Sequence, residues 1–189
     1  MKKWLIVLVI FIAGCSSQTQ QGSLFLLPTK VAPLTASQDA PTLILTSNLA
    51  EYLDQAGLVY RTSETEVVLA KHNRWAHKIS AQITHHMMMN LRAKQTAYWP
   101  EKSNSALKSK EQVQLQLNFT KFNGSFTGEA ELSGEWRLIN PQGILIKSEY
   151  FELKTPLKKE GYDQLVLSLS DGLDQLATLI AKQISQGQP

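Results

Sequence analysis

Few residues in this chain have the type and spacing that catalysis or metal binding requires. Three of its four histidines, His77, His85 and His86, lie in one predicted helix, but metal ligands on one helix face need spacings of three or four. The sequence contains no His-Glu-x-x-His pattern, and its single cysteine excludes a cysteine-rich zinc or iron–sulfur site. The histidines therefore indicate surface or boundary positions, and we expect no metal and no other cofactor.

Two further patterns resemble catalytic motifs only in part. Ser125 lies within the run Gly124–Gly128, but its position differs from Gly-x-Ser-x-Gly, and the run joins two predicted strands instead of a strand and a helix. Asp171 and Asp174 lie three residues apart on the last predicted helix. Such a pair could act as acid and base, but a solvated helix face explains it more simply. No glycine-rich phosphate loop occurs, so the sequence predicts no enzymatic activity.

The residue with the clearest chemistry is Cys15, the only cysteine of the chain. Two lysines and an unbroken apolar run over residues 4–13 precede it. That run is too short to span a bilayer but suits a secretory signal. The segment Ile12–Cys15 resembles the lipobox of bacterial lipoproteins, in which the thiol takes a diacylglyceryl group, the chain is cut before the cysteine, and the new amine is acylated, for example with palmitate. A plain secretory signal with a chance cysteine and an uncleaved anchor are the alternatives.

These features divide the chain into three predicted parts. They are a signal peptide over 1–14, an acylated polar tether over 15–23, and a single periplasmic domain over 24–189. Stable anchoring takes at least two membrane signals, which several acyl chains on Cys15 supply. Ser16 follows Cys15 where an Asp retains lipoproteins of the enteric type in the inner membrane. We therefore expect attachment to the inner leaflet of the outer membrane, with the domain facing the periplasm.

Net charge gives no reason to expect a nucleic-acid partner. The formal net charge is +3, and it falls to +1 once Lys2 and Lys3 leave with the signal peptide. Phosphate binding needs clustered Lys and Arg, so a net charge this small is no argument for it.

The hydrophobic pattern predicts an α+β fold with a mixed sheet. The predicted strands are Leu24–Leu27, Thr42–Thr46, Leu58–Arg61, Glu66–Ala70, Ala97–Trp99, Val113–Phe119, Ala130–Leu138 and Ile144–Leu153. Turns at Asn123-Gly124 and Asn140–Gly143 join the last three strands into an antiparallel meander. Pro100 would end the strand before it, and Lys154–Gly161 would form a loop.

Three helices are predicted between these strands. The first, Leu49–Gln55, is short and has Asn48 as its N-cap. A long central helix begins after Asn73. Its apolar residues recur every four positions at Trp75, Ile79, Ile83, Met87 and Leu91. A long C-terminal helix covers Tyr162–Ser185. The two long helices need cover only one or two faces of the sheet.

Three segments follow one another in the order and spacing typical of a known family. They are Phe25–Pro28, then Leu49–Arg61 with its Tyr-Leu-Asp and apolar-x-Arg motifs, and then Asn73–Ala76 with its Arg-Trp-Ala. This set resembles the ABC-type transport auxiliary lipoproteins, also called the PqiC or YmbA family. Phe25 replaces the usual Tyr and His77 the usual Glu, which leaves the branch of the family open.

The resemblance implies both a fold and a role. The family fold is a three-layer α/β sandwich with a mixed sheet. Its members are outer-membrane partners of MCE-domain proteins such as the PqiB type, in lipid traffic that maintains envelope integrity. The resemblance also implies a docking ring of several copies and no catalytic group. The residues it singles out are Cys15 as the anchor, and Tyr52, Leu53, Arg61 and Trp75 as partner contacts or family core.

Three other roles remain open from the sequence. The first is a stand-alone periplasmic lipid-binding lipoprotein. The second is an envelope enzyme, against which the absence of a catalytic motif argues. The third is a general assembly factor.

Overall fold

The computed structural model describes residues 22–30, 32–103 and 112–186. The predicted signal peptide, Cys15 and most of the tether lie outside these ranges. Predictions about those segments are therefore not addressed by the fold.

Within the described residues, eight strands form one mixed sheet and two helices pack on it. In chain order the elements are β1 (Ser23–Phe25), β2 (Thr42–Leu49), β3 (Gly57–Arg61), β4 (Val67–Trp75), α1 (Ile79–Lys94), β5 (Trp99–Lys102), β6 (Val113–Ser125), β7 (Glu129–Ile139), β8 (Leu145–Pro156) and α2 (Tyr162–Gln186). The predicted α+β class, mixed sheet, β6–β8 meander and two long helices are confirmed.

The long strand β6 organises the sheet. On one side it pairs antiparallel with β7, which continues to β8. On its other side, β2 pairs parallel with the first half, and β3 pairs parallel with Gly124 and Ser125 at the end. β5 flanks β2, while β4 and then β1 flank β3. Only two residue pairs join β3 to β6, so other contacts must hold this corner of the sheet.

Both helices lie on the same face of the sheet and pack against each other. α1 contacts β2 and β5, whereas α2 contacts β6, β7 and β8. The predicted stripe of α1 is buried, and it comprises Ile79, Ile83, Met87 and Leu91. The stripe of α2 is buried too, and it comprises Leu165, Leu169, Leu173, Leu176, Ile180 and Ile184. The described residues add no helix to the opposite face, so the three layers implied by the resemblance are represented here by two.

The short helix predicted over Leu49–Gln55 is wrong. Asn48 belongs to β2, and its side-chain Nδ2 donates to the side-chain Oδ1 of Asn118 in β6 at 2.9 Å. The residues that follow form a turn in which the Leu53 N–H bonds to the Ala50 carbonyl. Asn48 does not start a helix, despite its local capping signal, because the parallel ladder to β6 keeps the backbone extended through Leu49.

The central helix starts later than predicted. Asn73 and Trp75 lie in β4, where Asn73 pairs with Ser23 of β1. The helix begins at Ile79, so His77 precedes it. Trp75 fits the four-residue spacing of the helix only by coincidence. It lies in a strand because β1 and β3 pair with this part of β4.

The turn predicted at Asn123-Gly124 is also displaced. β6 continues to Ser125, and the turn follows at Phe126–Gly128, where Gly128 takes a positive φ of 81°. Gly124 is needed for a different reason. A Cβ there would lie 2.6 Å from the Tyr60 ring of β3, so the glycine allows β3 to approach β6.

Three strand boundaries differ from the predictions as well. Pro100 lies inside β5 and does not end it, which an edge strand tolerates because its outer N–H groups need no partner. β8 continues to Pro156, into the predicted loop. β1 ends at Phe25, and Leu24 is exposed where a buried strand was predicted.

Candidate functional site

A cluster of polar side chains lies on the sheet face opposite the helices, where β3 meets β6 and β7. Arg61 of β3 is in register with Ser125 of β6, and Asn123 is in register with Glu131 of β7. Residues directly opposite each other point to the same face of a sheet, so the four side chains converge. The register, not proximity in sequence, brings them together.

The centre of this cluster is a buried ion pair. Arg61 Nη2 donates to Glu131 Oε1 at 2.6 Å, and Arg61 Nε donates to Glu131 Oε2 at 3.0 Å. The side chains of Arg61 and Glu131 are only 14% and 2% exposed. Ser125 Oγ accepts a further bond from Arg61 at 3.0 Å, and Asn123 donates to the carboxylate at 3.1 Å. Such a two-point geometry is among the strongest that side chains form.

One aromatic residue contacts the ion pair, and a second ties the β2–β3 connection to β6. The guanidinium carbon of Arg61 lies 5.0 Å from the centre of the Phe126 ring, within the range of a cation–π contact. The Tyr52 hydroxyl donates to the Thr120 carbonyl at 2.6 Å, which ties the turn after β2 to β6. The cluster thus links the β2–β3 connection, β3 and the β6–β7 hairpin.

The electrostatics of the cluster match this geometry. Burial alone would raise the pKa of Glu131, but hydrogen bonds from Arg61 and Asn123 outweigh it and the net pKa is lowered. Burial raises the pKa of Tyr52, and the Glu131 carboxylate adds to that effect. Glu131 is therefore charged and fully paired at neutral pH. A carboxylate in that state holds its partners in place and is poorly suited to general acid or base catalysis.

The structure separates the residues that the sequence singled out. Arg61 pairs with Glu131 and Tyr52 bonds to the Thr120 carbonyl of β6, whereas Leu53 and Trp75 are core residues, 2% and 7% exposed. Cys15 lies outside the described residues. Leu53 and Trp75 are thus placed for packing, and Arg61 for the ion pair.

Sequence reasoning missed Glu131 and Asn123. Glu131 occupies a polar position of an alternating strand, which normally faces solvent, and Asn123 precedes a glycine as turn residues do. The signal that could have found them is the buried Arg61. A buried arginine requires an anionic partner, and β7 runs beside the strand that Arg61 joins.

A cavity of about 570 Å³ opens beside this corner of the sheet, and its volume falls in the range of small-molecule sites. It lies between the β6–β7 turn and the start of α2. Its walls include Tyr60, Phe126, Leu157, Tyr162 and Leu165, with Lys159 and Glu160 also lining it. The walls are mostly aromatic and aliphatic, so they suit an apolar ligand better than a charged one.

Two outer edges of the sheet expose apolar side chains. On β4, Val67, Val68 and Leu69 are all exposed. At the β8 edge of the sheet, Leu145, Ile146 and the preceding Ile144 are exposed too. β8 pairs only with β7 among the described residues, and β4 has no outer partner before Asn73. Unpaired apolar edges are unusual in proteins that act alone.

Other kinds of site find no support in the part of the chain that the structure describes. It contains no group of three or more side chains arranged to hold a metal. None of its helices has the length and apolar character needed to cross a membrane. Asp171 forms a surface ion pair with Lys30, and Asp174 forms one with Lys94. Both aspartates thus lie on a solvated helix face, as the sequence predicts.

These features describe an α+β domain with a fully paired polar cluster, an apolar cavity and two sheet edges that expose apolar side chains. A family model described as the ABC-type transport auxiliary lipoprotein component matches residues 25–181. The chain therefore belongs to this family of transport auxiliary lipoproteins, and the resemblance seen in its motifs is confirmed.

Relatives of known name and structure agree with that assignment. The intermembrane transport lipoprotein PqiC of Escherichia coli (strain K12) is 34% identical over 190 residues, covering 98% of this chain and 99% of the relative. The Shigella flexneri protein of the same name is equally similar. The crystal structure of an uncharacterized protein has a TM-score of 0.73 at 30% identity, covering 87% of this chain and 99% of its own. The protein XCC0632 from Xanthomonas campestris shares the fold, with a TM-score of 0.68 at 13% identity over 88% of this chain and 97% of its own.

Proposed function

We propose that this protein is a non-enzymatic accessory subunit of an MCE-type intermembrane lipid transport system. It is anchored through Cys15 in the outer membrane and faces the periplasm. One observation carries the proposal, namely the 34% identity to an intermembrane transport lipoprotein over nearly the whole of both chains. Identity of that extent includes the leader as well as the domain, so anchor and domain are proposed together.

The anchor rests on the sequence of the first residues. The leader, the small residues before Cys15 and the polar tether after it supply the substrate for acylation. The described part of the chain has no membrane-crossing helix, which is consistent with attachment by covalent lipid. Confinement to one leaflet raises the effective concentration of the domain for a partner that reaches the same membrane.

The non-enzymatic role is supported by the state of the polar cluster. Arg61 and Glu131 satisfy each other, and Ser125 and Asn123 complete the hydrogen bonds. Such an arrangement fixes the position of β3 and leaves no group free to react. We propose that Arg61 and Tyr52 shape the corner next to the cavity, whereas Leu53 and Trp75 serve the family core.

We also propose that several copies assemble into a ring that receives the partner. A ring needs head-to-tail contacts between two different surfaces of each copy. The edge of β8, with Leu145 53% and Tyr150 87% exposed, offers one of these surfaces. A tethered MCE-domain protein would dock on the assembled ring.

A pull-down from the cell envelope tests this proposal. Tagged, acylated protein is extracted in mild detergent, and the partners are identified by mass spectrometry. We expect an MCE-domain protein to co-purify, and to be lost when Cys15→Ser protein is produced at the same level. Recovery of the acylated protein without any MCE-domain protein contradicts the proposal.

The cavity favours a second candidate, a lipid-binding lipoprotein that works without such a partner. Its aromatic walls and volume would accept an acyl chain. Stoichiometric phospholipid in the purified protein, in the absence of an MCE-domain partner, would support this candidate over the first.

A further inference from the structure

The segment that follows β1 lies across the junction of the two helices. It comprises Leu27–Lys30 and is called the strap below. The Leu27 N–H donates to Gln82 Oε1 of α1 at 2.8 Å. On the other side, Ser170 Oγ of α2 donates to the Pro28 carbonyl at 2.7 Å. The strap therefore bonds to both helices.

Few contacts hold the strap in place. Besides the two hydrogen bonds, Lys30 Nζ lies 3.1 Å from Asp171 Oδ1 of α2, but these side chains are 73% and 39% exposed. An exposed ion pair of this kind contributes little to stability. Leu27 is the apolar side chain that the strap buries, at 7% exposure. A segment with so few buried contacts opens more readily than the core of a domain.

A buried histidine lies beneath the strap. His86 follows Gln82 by one turn of α1, so both side chains lie on the same helix face. The Pro28 carbonyl of the strap faces the His86 ring. The residue is 1% exposed, and neither ring nitrogen has a hydrogen-bond partner within the described residues. A polar group buried in this state is rare in folded proteins and calls for an explanation.

The surroundings of His86 oppose its protonation. Burial is the main cause, and the neighbouring His85 of α1 and Lys30 of the strap act in the same direction. Asp174 of α2 favours the charged ring, but its carboxylate also pairs with Lys94 at 3.2 Å. The pKa of His86 is therefore lowered from 6.5 to about 4. The ring would take up a proton far more readily if water reached it.

We propose that Leu27–Lys30 is an acid-released strap, in which protonation of His86 frees the segment from α1 and α2 and opens the junction between the helices. The closed strap excludes water from the imidazole, whereas the open strap lets water solvate the imidazolium, so acid stabilises the open form. The strap leads from β1 into the domain, and its release therefore also loosens the hold of the helices on the N-terminal part of the chain. This inference does not depend on the proposed transport role.

The size of the effect follows from the two states of His86. The ring has its ordinary pKa of 6.5 in the open form and a pKa of about 4 in the closed form. The closed form thus loses stability as pH falls below 6.5. Between pH 7.5 and pH 5, the equilibrium constant for opening should rise about 30-fold.

Amide hydrogen exchange at Leu27 measures this opening directly, because its N–H is bonded to Gln82 in the closed strap. The protein is the mature chain with Cys15→Ser, and exchange is resolved by residue and corrected for the intrinsic effect of pH. We expect opening at Leu27 to increase about 30-fold from pH 7.5 to pH 5. Low concentrations of urea should leave exchange at Leu27 unchanged and accelerate it at Leu117, in the middle of β6. An equal urea dependence at both amides overturns the proposal, because the strap would then open only with the whole domain.

Variants of the two adjacent histidines assign the effect to one ring. His86→Leu and His86→Gln are neutral at every pH, and we expect opening at Leu27 to change less than about threefold over the same range. The two substitutions differ in polarity, so the test does not depend on how well either side chain packs. The matched control is the exposed His85→Asn, which should keep the increase of about 30-fold. An increase of that size in a folded His86 variant overturns the proposal.

Discussion

Arg61 and Glu131 show how one corner of this sheet depends on a pair of charges. β3 meets β6 through two residue pairs only, and the bonds of Arg61 to Glu131 and Ser125 cross that junction. Arg61 could be singled out from the sequence because it belongs to a short family motif whose residues are adjacent in the chain. Glu131 belongs to no such motif, and it lies seventy residues from Arg61 in the chain. Only the need of a buried arginine for an anionic partner points to it.

Removing one member of this pair should be costly. Arg61→Ala leaves a buried carboxylate without its cation, and we expect the free energy of unfolding to fall by roughly 3–5 kcal/mol. Urea denaturation of the Cys15→Ser protein measures it. The matched control is Lys30→Ala, which breaks an exposed pair with Asp171 and should cost less than about 1 kcal/mol. Equal losses in the two variants would contradict the structural role of the buried pair.

His86 gives the protein a specific dependence on pH. It is 1% exposed on α1, and neither ring nitrogen makes a hydrogen bond within the described residues. Burial lowers its pKa from 6.5 to about 4, although the nearby Asp174 carboxylate opposes that shift. His86 is therefore neutral in the folded protein under conditions where the unfolded chain takes up a proton.

The sign of the effect follows from that difference. Between pH 6.5 and about 4 the unfolded state binds more protons at His86 than the folded state, so stability falls as pH falls through this window. We expect a loss of up to roughly 3 kcal/mol from this residue. His86→Leu should flatten that part of the profile, whereas the exposed neighbour variant His85→Asn should keep it. A His86→Leu profile as steep as that of the parent would disprove the assignment.

At the scale of elements, hydrophobic periodicity correctly predicted the helices and strands that bury one face. It failed for segments whose conformation is fixed by pairing with a distant strand. The stripes of α1 and α2 and the alternation of β6 and β7 were visible in the sequence, because burial of one face creates them. The helix predicted after Asn48 and the early start predicted at Asn73 were wrong. Both asparagines carry local cap signals, but each lies in a strand whose partner is distant in sequence.

Gly134 tests how closely the meander must pack. A Cβ at this position of β7 would lie 2.0 Å from the Asn118 carbonyl oxygen of β6, and Phe119 and Phe151 pack together beside it, 5.4 Å between ring centres. We expect Gly134→Ala to lower the free energy of unfolding by roughly 3 kcal/mol or more, because backbone must move.

The control for that substitution is Gly143, which has a positive φ of 82° and nothing within 4 Å of an added Cβ. Gly143→Ala meets only the backbone penalty and should cost about 1–2 kcal/mol. Thermal unfolding of both variants makes the comparison. A Gly143→Ala loss larger than that of Gly134→Ala would contradict the close approach of β6 and β7.

At the scale of the whole molecule, the family was predictable from three short motifs, whereas the surfaces were not. Exposed edges arise from strand order, and the sequence alone does not fix which strands lie outermost. The cavity likewise forms where the β6–β7 turn meets the start of α2, and these segments are far apart in the chain.

The proposed ring predicts a variant that folds but does not assemble. Leu145→Glu places a charge on the exposed edge of β8 and should shift the protein to monomers in sedimentation velocity, with an unchanged circular dichroism spectrum. The matched control is Leu179→Glu on the exposed face of α2, where the side chain is 48% exposed, and it should assemble as the parent does. A parent protein that is monomeric at all concentrations would contradict the ring.

The central claim is that the protein acts as an anchored subunit at the outer membrane. Rescue of the envelope barrier measures it most directly, in cells of the host that lack the chromosomal gene and produce either parent or Cys15→Ser protein at equal level with the same export signal. We predict that the parent restores exclusion of large antibiotics and detergents, and that the Cys15→Ser protein does not. Full rescue by the Cys15→Ser protein would contradict the claim.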